Sequence, residues 1–197
     1  MVLTVPELDS SILDYLRRDG LLNEGHFEYP SGRHSAVRLD YDRLLADPQA
    51  SSHMGYALAK AFFTAKIDTV AAPSIWGAGL AQWVAYFLEP RAKVVYATPR
   101  PDGTREISMN LHGLIEGKRI LLVDNVTFSG ETMHRFGEAI TSLGGEVIGI
   151  GCLWAGAGEE DTHQEVFGLL NTRYPAYDHE ACPLCQEGHH DIQILTL

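Results

Sequence analysis

Residues 120–132, ILLVDNVTFSGET, constrain the fold of this chain more than any other stretch. An apolar run from Ile120 to Val123 meets an acid at Asp124, followed by Asn125, Thr127, Ser129, Gly130 and Thr132. Behind them MHRFGEAITSL places Met133, Phe136, Ile140 and Leu143 at the spacing of one helix face. A continuous apolar run suits a strand buried on both faces, as in a parallel sheet. The loop from such a strand into a helix turns backbone N–H groups and hydroxyls toward one spot, where the helix N-terminus adds partial positive charge. That arrangement suits a phosphate. An acid at the strand tip faces the same crevice and can hold sugar hydroxyls or a metal-bound ligand. The stretch predicts ligand binding at a switch point of an open α/β sheet; the plain alternative is an ordinary strand–turn–helix connection.

The rest of the chain alternates in the same way. ELDSSILDYLRRDG predicts a first helix, with Leu8, Ile12, Tyr15 and Leu16 on one face, Pro6 near its start and Gly20 closing it. Residues 26–42 predict two short strands around a Pro-Ser-Gly turn, and a helix follows from Asp47 to Ala65 with Asp47 as its cap. IDTVAAPS is a strand entering a loop, GLAQWVAYFLE a helix, KVVYAT a strand and GGEVIGIGCLW another. TPRPDGTREISMN, with two prolines and a glycine, predicts a mobile loop. Strands alternating with helices imply a largely parallel, right-handed α/β sheet.

Asp124, Ser129, Gly130 and Thr132 resemble the phosphoribosyl-pyrophosphate (PRPP) loop of type I phosphoribosyltransferases, in which a hydrophobic strand ends in two acids and a hydroxyl-rich glycine loop. Asn125 stands at the second acid and Phe128 at the first of two threonines. The likeness covers most of the chain and points to the orotate branch: Phe27, Ser31, Gly32, Ser35, Asp40, Asp47 and Pro48 fit its N-terminal hood, and Gly77, Leu80 and Ala81 its second strand–loop–helix. The tail YPAYDHEACPLC resembles a C-terminal extension of some members. The fold so implied is a type I phosphoribosyltransferase α/β fold, a mostly parallel open sheet with helices on both faces. It would be one domain over residues 1–197, with a hood from about 1–45 and a tail from about 174–197.

The resemblance implies Mg²⁺-dependent transfer from PRPP to a nitrogenous base. Asp124 and Asn125 would hold the ribose hydroxyls, and Thr127, Phe128, Ser129, Gly130, Glu131 and Thr132 the 5′-phosphate. Ser74, Ile75, Trp76 and Gly77 would wrap the pyrophosphate, with Arg100 closing over it. Trp76 replaces a small residue and reads most simply as core. Tyr96, Ala97 and Asp102 occupy positions where the family has cations. Ala155 and Gly156 replace the Asp-Arg pair whose arginine anchors the orotate carboxylate, a contact of about 1.5–3 kcal/mol. Val37 and Arg38 stand in the hood's base-flanking stretch, Arg38 being either a relocated cation or a surface residue. These departures predict a base other than orotate, or a silent binding protein for PRPP or a nucleotide on the same fold. The family also implies a homodimer.

A second constellation lies in the tail. Cys182-Pro-Leu-Cys185 followed by His189, with His179 upstream, has the density of a structural Zn²⁺ set, Cys182, Cys185 and His189 being its candidate ligands. Two reduced thiols in a turn would show the same spacing, and Cys152 in its apolar strand reads as core. A net charge of −11 argues against a nucleic-acid surface. No apolar run reaches the length of a membrane span, no signal-peptide layout opens the chain, and three cysteines do not suggest a secreted disulfide framework, so the cytoplasm is expected.

Overall fold

Local sequence rules account for the N-terminal third of the computed structural model, which describes residues 10–156, 166–189 and 191–195. Helix α1 (Ser10–Arg18) buries Leu13 and Leu16; Leu8 and Pro6 lie outside the described residues. Strands β1 (Leu22–Glu28) and β2 (His34–Leu39) form an antiparallel hairpin, with β1 beginning earlier than its sequence suggests. A short α2 (Tyr41–Ala46), not foreseen, is capped by Asp40. Helix α3 (Pro48–Ala61) starts where expected: the Asp47 carboxylate accepts the Gln49 and Ala50 N–H groups at 2.8 and 3.4 Å, a cap worth about 1 kcal/mol.

The main sheet begins with β3 (Thr69–Ala72), followed by α4 (Ile75–Phe87), β4 (Lys93–Pro99) and β5 (Arg105–Ile107). It continues with β6 (Arg119–Thr127), α5 (Glu131–Ser142), β7 (Glu146–Ala155) and β8 (Val166–Gly168). Strand order is β5-β4-β3-β6-β7-β8, parallel throughout except for the β4–β5 pair. Residues 105–107, expected within a loop, pair with 97–99 and turn that segment into a hairpin.

The apolar run in β6 is explained by burial on both sides. Leu121 and Val123 enter the core beneath α3 and α4, while Ile120 and Leu122 enter the core beneath α5. All four are 0% exposed, each burial being worth about 1.5–3 kcal/mol relative to exposure. Because the chain leaves β3 for β4 on one side and returns to β6 on the other, the sheet switches direction between β3 and β6. Ligands of open α/β sheets bind at the carboxyl ends of strands at such a point.

The tail closes the molecule against the hairpin. After a short α6 (Pro183–Gln186), β9 (Ile192–Ile194) joins β1 in parallel with His26 opposite Ile192, giving a three-stranded sheet in the order β2-β1-β9. Tyr177 makes two backbone hydrogen bonds with His34, at 2.7 and 2.8 Å.

Candidate functional site

At the switch point lies a crevice of about 370 Å³, lined by Pro73 and Ser74 after β3 and by Asp124 to Met133 after and along the end of β6, with Pro30 and Arg105 contributing from other elements; Asn125 and Glu131 are absent from the lining. Gly130, at φ +77°, makes the turn into α5 in a backbone region that favours glycine. Thr127, also in the lining, is buried at the end of β6 close to the Cys152 thiol.

Asp124 is the one carboxylate among the residues lining this crevice. Burial pushes its carboxyl up to about 6, opposed by the Asn125 N–H that it accepts at 2.9 Å and by the Arg105 charge. Gly77 backs it closely: a Cβ there would stand 2.9 Å from Asp124 Oδ1 and 3.3 Å from the Val123 carbonyl oxygen. Strand alternation sends Asn125 the other way. Its Nδ2 donates to the Trp76 carbonyl at 3.2 Å, tying β6 to the first turn of α4, and its buried Oδ1 has no partner among the described residues. Of the pair expected to hold ribose, only Asp124 lines the crevice.

Other expected residues divide similarly. Thr127, Phe128, Ser129, Gly130 and Thr132 line the crevice, while Glu131 is exposed and paired with Arg135. Ser74 lines it and Gly77 backs it. Ile75 and Trp76 instead face outward, 56% and 70% exposed, beside Tyr96 to Pro99 in a separate depression. The core reading of Trp76 is therefore corrected: the first turn of α4 projects it away from the packed face. Arg100 is exposed and paired with Glu106 across the hairpin, outside the crevice lining. Arg105, two residues before Ile107 on β5, lines the crevice. The β4–β5 pairing, invisible in a segment read as a loop, sets its position.

A second cavity of about 170 Å³ adjoins the first and shares Pro30, Val126 and Phe128 with it. Its walls are aromatic: Tyr29 stacks on Trp154 with centroids 3.7 Å apart, and Phe128 lies 6.0 Å from Tyr29. Arg38 lines its edge, together with Asp40 and Asp42. Val37, expected here, is buried in the core instead, where its carbonyl accepts the Tyr29 hydroxyl at 2.9 Å. Trp154 Nε1 is buried without a partner among the described residues. Gly156 cannot carry a large side chain as the fold stands, since a Cβ would be 2.8 Å from the Trp154 ring and 3.0 Å from Ser31 Oγ.

The family description "Phosphoribosyl transferase domain" matches residues 40–173. This chain belongs to the phosphoribosyltransferase family. An orotate phosphoribosyltransferase of Thermus thermophilus is 36% identical over 178 residues, covering 90% of this chain and 96% of that protein. One from Caldanaerobacter subterraneus is 32% identical, covering 90% and 92%. Among solved structures, the orotate phosphoribosyltransferase of Aeropyrum pernix superposes with a TM-score of 0.60 at 23% identity, covering 80% of this chain and 92% of that one. The chain is accordingly a phosphoribosyltransferase, an enzyme of pentosyl transfer in the orotate phosphoribosyltransferase family. The expectation of a base other than orotate is overturned, because curated relatives matched over 90% of this chain carry the orotate name. The residues behind that expectation are real departures, but a missing arginine at 156 says nothing of a cation supplied from the hood.

Elsewhere, Cys152 is buried in β7, its thiol pushed up to about 12 by burial, which fits the core reading. A His/Cys cluster that could chelate a metal ion joins the tail to the hairpin: His26, His34, Cys182 and Cys185. His189, the ligand expected from sequence, is not in it. His189 offers only its backbone carbonyl to His26 Nδ1, at 2.8 Å. Among the described residues no helix is long and apolar enough to cross a membrane.

Proposed function

We propose that this phosphoribosyltransferase joins orotate to the ribose of PRPP, releasing pyrophosphate. The observation that carries the reading is the pair of contiguous cavities: a loop-and-helix cradle beside a narrower aromatic slot with Arg38 at its edge. The base nitrogen displaces pyrophosphate at ribose C1 as the N-glycosidic bond forms. The backbone of Ser129 and Gly130 and the hydroxyls of Thr127 and Thr132 bind the 5′-phosphate at the N-terminus of α5. Asp124 accepts from the ribose hydroxyls in its ionised form and so fixes the sugar above the switch point. Arg105 meets the charge that develops on the departing pyrophosphate. The planar base enters against Tyr29, Phe128 and Trp154, with Trp154 Nε1–H available to a base oxygen and Arg38 to the orotate carboxylate.

Mg²⁺ belongs to this proposal. One carboxylate facing a phosphate cradle is the donor set Mg²⁺ takes, because it keeps waters and shares substrate phosphates instead of demanding a full protein cage. Asp124 would be the protein's contribution, and the ion, when bound, would neutralise pyrophosphate charge. The same proposal includes a homodimer, supported by the exposed apolar wall of Ile75, Trp76 and Tyr96, and a cytoplasmic setting, in keeping with thiols that form no disulfide.

The test is substitution at the slot. Arg38→Ala should raise KM for orotate about tenfold to a hundredfold while leaving KM for PRPP within about twofold, as loss of one charge-assisted contact requires. Unchanged orotate KM would remove Arg38 from the account.

A further inference from the structure

We infer that His26, His34, Cys182 and Cys185 form a tetrahedral Zn²⁺ site that staples the N-terminal hairpin to the tail and thereby fixes two walls of the base slot. The ligand atoms lie within 4.8 Å of one another. Cys185 Sγ stands 3.3 Å from His34 Nδ1 and 3.5 Å from His26 Nε2, and Cys182 Sγ stands 3.6 Å from His26 Nε2. Zinc bonds of about 2.3 Å to sulfur and about 2.0–2.1 Å to nitrogen place tetrahedral S···N edges about 3.5 Å apart. The His26 Nε2–His34 Nδ1 separation is 2.9 Å, so a slight rotation of one ring opens that edge to its tetrahedral value. Two imidazoles and two thiolates form a borderline-soft set that suits zinc and does not suit Mg²⁺.

The outer contacts turn both rings the same way. His26 Nδ1 lies 2.8 Å from the His189 carbonyl oxygen, which can only accept, so that nitrogen carries the proton and Nε2 presents its lone pair to the cluster. His34 Nε2 faces Glu28 Oε2 at 3.9 Å and His179 Nδ1 at 3.4 Å, which leaves Nδ1 for the cluster. With both inner nitrogens unprotonated, their two lone pairs and the two thiols converge on one point, the arrangement that a cation between them resolves. A carbonyl behind one ligating histidine and a carboxylate behind the other is the supporting shell that metal-bound imidazoles use. His26, His34 and Cys182 are 5%, 1% and 1% exposed and Cys185 is partly buried, so three of the four ligands are built into the core of the fold.

The consequence for the slot follows from connectivity. Tyr29 and Pro30 come directly after Glu28 at the end of β1, and Leu195 directly after β9; all three line the slot. An ion joining β1, β2 and the tail fixes both segments. This coupling, unlike the metal site itself, rests on the orotate-transfer reading above.

The test begins with metal analysis and native mass spectrometry of the full chain purified under reducing conditions without chelator. One zinc per chain is expected, retained in His189→Ala and lost in Cys185→Ser and His34→Ala. Should those two variants fail to fold, cobalt uptake by the wild-type chain answers the same question: thiolate charge-transfer bands with intense tetrahedral visible bands support the site. A chain that takes up no zinc or cobalt, that holds a Cys182–Cys185 disulfide instead, or that keeps its zinc in Cys185→Ser overturns it. For the coupling, chelator-stripped enzyme should show KM for orotate raised about tenfold with KM for PRPP within about twofold. Equal changes in both would overturn the coupling and leave the metal site standing. Absence of turnover by zinc-loaded enzyme would count against the transferase reading alone.

Discussion

The crevice takes Asp124 through Thr132 from one run of sequence, whereas the His/Cys cluster takes His34 and Cys185 from positions 151 residues apart. The first is built by a strand that ends on time and a helix that starts on time, so it exists wherever β6 and α5 form. The second exists only after the tail has returned to the hairpin and β9 has paired with β1. The crevice tolerates a buried carboxylate whose pKa is raised, a sign that stability has been given up for binding. The cluster places its ligands where an ion would add stability by joining the chain's two ends. One region should therefore answer to activity and the other to stability, and substitutions can separate them.

The largest effect belongs to the crevice. Asp124→Ala should lower turnover about a hundredfold or more, as loss of a preorganised charged contact does, with little loss of thermal stability; a small activity loss would break the comparison. Next, Cys185→Ser should lower Tm by several degrees, each 1 kcal/mol being worth about 2–4 °C in a chain of this size, while turnover at saturating substrate changes far less. Equal activity losses in both variants would mean that the regions are not separable.

Smaller effects sharpen the picture. Asn125→Asp would restore the acid seen in the wider family, but the new side chain cannot donate to the Trp76 carbonyl and brings charge to a buried position. Unfolding by denaturant should show a loss of about 1–3 kcal/mol. The smallest effect is in pH. The Asp124 carboxyl sits at about 6 against an ordinary 3.8, so its burial carries no cost below the ordinary value and a full cost above about 6. Asp124→Asn should therefore raise Tm at pH 7–8 and leave it nearly unchanged at pH 4. PRPP affinity of the wild-type chain, measured by calorimetry with Mg²⁺, should weaken as pH falls through about 6, where the acceptor is lost.

What was legible in the sequence follows the same division. Apolar run, acid, glycine turn and helix spacing disclose the crevice, because each depends on neighbours within about ten residues. Asp47 as a helix cap and Cys152 as core were legible for the same reason. The position of Arg105 was not legible, because it depends on an antiparallel partner in β4 that a Pro- and Gly-rich segment does not announce. Trp76 was misread because helix phase, not residue type, decides which side chain faces out, and its backbone carbonyl, not its ring, touches Asn125. His189 was chosen over His26 and His34 for its nearness to the Cys pair, yet the sheet carries the distant residues to the thiols and leaves His189 a carbonyl's role. The absent arginine at 156 misled for a related reason: the Trp154 ring of the Tyr29–Trp154 stack lies against Gly156, and Arg38, on another element, lines the same slot.

The most direct measurement is turnover of orotate with PRPP and Mg²⁺, followed by the loss of orotate absorbance and by pyrophosphate release, beside a panel of purine and pyrimidine bases. The account predicts that orotate is consumed with stoichiometric pyrophosphate and that neutral bases lacking the carboxylate react far more slowly. PRPP turnover with another base and none with orotate, or tight PRPP binding with no transfer to orotate, would contradict it.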